Sequence, residues 1–175
     1  MGGSFKAHGF NYEGKLEVIK NYLRYDYLWN NIRVKGGAYG CVVDLDYRGN
    51  IIFSSYRDPN IESSIDVYKE FPNHIRSKDF SKDEVVKLII GTVSKLDIPL
   101  SDSAKLSIKT NNFITGIDFD FISRIRNQIL NVKPWDIKKS AEIFEKVFSE
   151  GKVCVIGNEN KIDGSKNLFD EFLKL

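Results

Sequence analysis

The sequence predicts an α+β fold, a largely antiparallel four-stranded sheet with helices packed on one face. Three observations carry this. Apolar residues alternate through Tyr39–Leu45 and return through Ile51–Tyr56 across Arg48-Gly49-Asn50, the pattern of an antiparallel hairpin. Helical spacing dominates from Ser81 to Phe148. The order strand, helix, strand, strand, helices, strand leaves the strands to pair and the helices to share a layer. At 175 residues the chain is long enough for one domain with a real core.

Each element has its own signal. Met1-Gly2-Gly3-Ser4 reads as an expression scar joined to strand-like sequence, which leaves 5–175 as a single domain and the chain as a piece of a longer protein. Phe5–Phe10 is a strand candidate. From Lys15 to Ile32, Leu16, Ile19 and Leu23 recur beside Val18, Tyr22, Trp29 and Ile32, a helix broad enough to bury more than one stripe. Gly36 is its left-handed stop, and Arg33 and Lys35 complement the negative end of the helix dipole. After the hairpin, Asp58-Pro59-Asn60 opens a helix over Ile61–Phe71, with His74 in the loop that follows Pro72. Ser81 and Glu84 have capping-box spacing and start a helix to Leu96. Pro99 opens Leu100–Phe113, and Asp118 or Asp120 begins another helix to Leu130. Pro134 fits the first turn of Trp135–Phe148, where Ile137, Ala141, Phe144 and Phe148 share a face. Gly151 ends it, Lys152–Ile156 is a last buried strand, and Asn167–Leu173 a short final helix. Trp29 and Trp135 read as core residues.

Composition narrows the function. A net charge of +2 with lysines dispersed among acids forms no basic stripe, so neither nucleic acid nor a membrane is expected as a partner. No run approaches the about 18 apolar residues of a membrane span. Cys41 and Cys154 lie in apolar runs that suit buried free thiols in a reducing compartment. His8 and His74 are far apart with no ligand spacing around them, so no metal site is expected and each histidine reads as structural or solvated. No Gly-x-Ser-x-Gly appears, and Gly36-Gly37-Ala38-Tyr39-Gly40 follows a helix where a phosphate loop would precede one.

Arg33 and Tyr39 remain. Arg33 carries a permanently charged planar fork of donors, and Tyr39 a phenolic hydroxyl donor. Held at a helix end and a strand start, with glycines between, the two could polarise a carbonyl. Equally, Arg33 could serve only the helix dipole and Tyr39 only a sheet face. The residues alone leave both readings open.

Tyr25–Gly40, YDYLWNNIRVKGGAYG, with SYRDP at Ser55–Pro59 and RNQILNVKPWD at Arg126–Asp136, resembles the C-terminal half of insulinase-type (pitrilysin) zinc metallopeptidases, the presequence protease branch above all. The resemblance implies a partial unit of the insulinase/mitochondrial processing peptidase-like metallohydrolase fold. It implies a parent enzyme that encloses peptides between two halves, with zinc held on the N-terminal half by an inverted His-x-x-Glu-His motif and a distal glutamate. Arg33 and Tyr39 would then be the catalytic pair that reaches the scissile carbonyl, and Lys35, Gly36 and Gly37 would touch substrate. Implied partners are peptides and the N-terminal half of the same enzyme, with self-association of the fragment possible. The chain itself would hold no cofactor and be inactive alone, in a cytoplasmic or organelle-matrix setting. Two other readings are a non-catalytic, peptide-holding subunit of an insulinase-type assembly and a small RNA-binding domain. The second lacks paired aromatic-basic motifs on the hairpin.

Overall fold

In the computed structural model, which describes residues 1–173, three antiparallel strands form the sheet in the order β1-β3-β2. These are β1 (Gly2–Ser4), β2 (Gly40–Leu45) and β3 (Asn50–Tyr56). The hairpin stands as expected, in the register Val43↔Phe53 and Leu45↔Ile51. Asp46 closes its turn by accepting from the Asn50 amide at 3.0 Å and side chain at 2.9 Å. The first strand is displaced from its expected place. Residues 2–4, read from sequence as a scar, pair with β3, while Lys6–His8 is a 3₁₀ turn and Phe5 is buried. The fourth strand is reduced to one bridge, Lys152 to Gly2. The last expected helix is replaced by a short helix at Glu159–Asp163 and a 3₁₀ turn at Lys166–Leu168, both N-terminal to most of the expected span.

The helices are α1 (Gly14–Tyr22), α2 (Glu62–Ser77), α3 (Lys82–Leu96), α4 (Asp102–Thr115), α5 (Phe119–Leu130), α6 (Pro134–Lys139), α7 (Ala141–Ser149) and α8 (Glu159–Asp163). Helix α2 runs through Pro72, so His74 lies inside a helix and not in a loop. The expected Trp135–Phe148 helix divides at buried Ser140, whose hydroxyl donates to the Ile137 carbonyl at 2.6 Å.

Alternation puts Val43, Leu45, Ile51 and Phe53 on the covered face of the sheet, all buried, while Val42, Ile52 and Tyr56 are exposed. Phe53 is the hub of the aromatic core. Its ring lies 5.0 Å from Phe148, 6.0 Å from Phe71 and 6.1 Å from Phe144, bringing α2 and α7 onto the strand. No helix among the described residues is long and apolar enough to cross a membrane.

One element departs from the ordinary helix. Beyond Tyr22, α1 continues as π-helical turns at Leu23–Tyr27 and Trp29–Lys35. Bonding from i to i+5 widens the repeat, so the buried positions become Leu23, Tyr27, Leu28 and Ile32. Trp29, expected in the core from α-helical spacing, is instead 41% exposed, and Trp135 is exposed as well.

Candidate functional site

The site is built where the π-helical segment ends. The Gly37 amide donates to the Arg33 carbonyl at 3.0 Å and the Ala38 amide to the Ile32 carbonyl at 3.1 Å. This closure is a residue wider than a Schellman motif, as a π-helix requires. The left-handed position is Gly37, with φ +77°, and not Gly36, which stays right-handed at φ −79°. Gly36 matters for space, since a Cβ there would sit 2.6 Å from the Ile32 carbonyl oxygen. Its own carbonyl accepts from the Asn60 side chain at 2.6 Å. Asn60 is tied in turn to Asp58, which receives the Asn60 amide at 2.9 Å and the Ser64 hydroxyl at 2.7 Å. The segment after β3 therefore clamps the turn from Arg33 to Tyr39.

Arg33 and Tyr39 both face solvent at the open end of the hairpin. The Arg33 guanidinium lies 4.0 Å over the Trp29 ring, a cation–π contact that fixes the long side chain. Its charge reaches the start of β2. Burial pushes the Cys41 thiol up, and Arg33 and Arg24 pull the other way. Cys41 and Cys154 are both free, but Cys41 is half-buried and Cys154 exposed, so the expectation of two buried thiols does not hold.

Tyr39 is 68% exposed and makes a different set of contacts. Its ring meets Tyr56 edge-on at 6.1 Å, and the Arg57 guanidinium lies 5.8 Å from it and 5.4 Å from Tyr56. Among the described residues no hydrogen bond or cation–π contact joins Arg33 to Tyr39, and the cation over the Tyr39 ring is Arg57. Sequence reasoning gives SYRDP the role of ending a strand and capping a helix, with Arg57 at most a local partner of Asp58, and no such ion pair forms among the described residues. Lys35 donates to the Asn31 side chain at 3.2 Å and lines a groove of about 870 Å³ that also includes Asp26, Asp66, Glu70 and His74. Neither Arg33 nor Tyr39 lines that groove. Among the described residues no three His, Cys, Asp or Glu side chains converge as a metal set.

What the arrangement offers chemically is a guanidinium and a phenol, both exposed, on either side of a glycine turn whose backbone is held in place. Comparison with known proteins puts a family to this chain. The family model for the PreP C-terminal domain matches residues 1–159. The chain belongs to that family. Protein HypA of Clostridium perfringens is 37% identical over 169 residues, covering 97% of this chain and 17% of its own length. Presequence protease 1, chloroplastic/mitochondrial, of Arabidopsis thaliana is 28% identical over 174 residues, 99% of this chain and 16% of the relative. A mitochondrial presequence protease of Emericella nidulans is 32% identical over 145 residues, 82% of this chain and 14% of the relative. The PreP C-terminal domain chain thus spans about a sixth of the length of these relatives. The family match also takes in residues 2–4, the strand β1.

Proposed function

We propose that this chain is the C-terminal part of a zinc-dependent oligopeptidase and supplies Arg33 and Tyr39 to the scissile carbonyl of a bound peptide. In this reading the zinc site belongs to the N-terminal half of the parent, since among the described residues no three His, Cys, Asp or Glu side chains converge to hold a metal. The observation that carries the reading is the exposure of both donors beside Gly36 and Gly37, in a chain of the PreP C-terminal domain family.

The chain's own chemistry is hydrogen-bond donation. As a nucleophile adds to the peptide carbonyl, negative charge gathers on the carbonyl oxygen. The Tyr39 hydroxyl and the Arg33 fork, already fixed by neighbouring rings, donate to that oxygen with little reorganisation. Gly36 and Gly37 present bare backbone to an extended peptide, and Lys35 meets its flank. Peptides and the N-terminal half are the partners of this reading, which needs no nucleic acid and no membrane, and the setting is cytoplasmic or an organelle matrix.

Kinetics of the intact parent test it. Tyr39→Phe removes one donor and is expected to lower kcat about 10²–10³-fold with zinc content unchanged. Wild-type turnover in that variant would remove Tyr39 from the mechanism.

A further inference from the structure

We infer that Arg57 is a positioning residue that holds the Tyr39 phenol in its working orientation, an inference that rests on reading Tyr39 as a carbonyl donor. Four observations converge on it. Arg57 is the one non-glycine residue with a positive φ among those described, +48°. Left-handed backbone is disfavoured for a side chain of this kind and persists where surrounding structure imposes it. The guanidinium then lies 5.8 Å from the Tyr39 ring and 5.4 Å from the Tyr56 ring, and the two rings stand edge-on at 79°. Backbone contact reinforces this, because the Tyr39 amide donates to the Arg57 carbonyl at 3.4 Å. Finally, no carboxylate neutralises Arg57 among the described residues, and the adjacent Asp58 is committed to Asn60 and Ser64.

Together these make a three-sided cluster in which one residue grips Tyr39 by backbone and by ring. Tyr56 limits the ring on one side and the guanidinium sets its tilt. The cation also draws electron density from the ring, which makes the phenolic hydrogen a better donor to a developing oxyanion. An exposed tyrosine without these partners would rotate freely and meet the carbonyl in a fraction of its rotamers.

The experiment has two arms. In this chain labelled with 3-fluorotyrosine, ¹⁹F resonances of Tyr39 and Tyr56 are assigned from Tyr39→Phe and Tyr56→Phe. Arg57→Gly suits the positive φ and keeps the hairpin, so the melting temperature is expected to hold while the Tyr39 resonance moves toward that of free fluorotyrosine. An unmoved resonance overturns the inference. In the intact parent, Arg57→Gly is expected to lower kcat about 2- to 5-fold with KM nearly unchanged, the range of an exposed cation–π contact of about 0.5–1 kcal/mol. The double variant Arg57→Gly/Tyr39→Phe should match Tyr39→Phe alone. An additive loss means that Arg57 acts without Tyr39 and overturns the inference. A full loss in Tyr39→Phe beside wild-type turnover in Arg57→Gly overturns it too, leaving the reading of Tyr39 intact. Wild-type turnover in Tyr39→Phe overturns both.

Discussion

Gly36 and Gly37 are adjacent, yet they are glycine for different reasons, and their substitution should separate the two. At Gly37 an added Cβ meets only the Pro59 ring at 3.7 Å, so the cost of Gly37→Ala is the left-handed backbone, about 1–2 kcal/mol. At Gly36 the backbone is ordinary, but the methyl would sit 2.6 Å from a carbonyl oxygen of the preceding turn. Urea unfolding of the two alanine variants is expected to show the larger loss for Gly36→Ala. Equal losses would mean that the turn relaxes around the methyl. At this scale donor chemistry and family likeness single out Arg33 and Tyr39 in the sequence, and what the fold adds is their exposure. Arg57 was not legible, because its role depends on a backbone angle and two ring contacts that arise when β2 and β3 align. Nor could spacing tell which of two neighbouring glycines takes the positive φ.

Among elements, those with a local chemical start signal were legible and those defined by distant partners were not. Ser81 and Glu84 form the capping box expected of them, with the Ser81 amide donating to Glu84 at 2.8 Å and the Glu84 amide to Ser81 at 3.2 Å. Ser81→Ala should cost about 1 kcal/mol, read as a lower midpoint in thermal or urea unfolding. Asp118 caps α5 in the same way, accepting from the Phe121 amide at 2.7 Å. By contrast, β1 is three residues of glycine and serine with no strand propensity, set in place by pairing with β3 and by the Lys152 bridge. The π-helical turns were hidden because apolar spacing of three to five residues fits an α-helix locally, and only the burial of Leu28 in place of Trp29 reveals the wider repeat. Pro72 misled in the other direction. A proline ordinarily ends a helix, but here it is buried within α2.

For the whole molecule, two groups of apolar residues stand apart. One surrounds Phe53 and is fully buried, and the other lies on α4 and its neighbours, where Phe113 is 89% exposed and Leu106 and Ile114 are exposed as well. Stability resides with the first, and it carries a pH dependence through His74. The His74 ring packs 4.6 Å from Tyr27 and shares a 2.6 Å hydrogen bond with the Tyr22 hydroxyl. Burial, with help from Lys78, lowers its pKa, while Asp26 and Glu70 oppose the shift. The folded chain therefore binds less proton than the unfolded chain, whose histidine titrates at about 6.5. Stability is complete above that pH and declines as the pH falls through it toward the lower folded value. His74→Gln should flatten the fall in Tm between pH 7.5 and 5 relative to wild type. Parallel profiles for the two proteins would assign the acid sensitivity to other groups.

The π-helical stretch between Tyr22 and Gly36 has a consequence for how this chain can change length. Its coil is wound with slack, holding more residues than a tighter winding over the same distance would need. Loss of one residue there can be absorbed by tightening to α-helical winding, whereas a gain has no looser winding to fall back on. A loss taken up in this way keeps the bearing of Arg33, whereas a change that is not taken up swings it about the helix axis, by about 100° for each residue of phase. The winding thus sets the compass heading of the guanidinium while leaving the Asn60 tether on Gly36 as the fixed point from which that heading is measured.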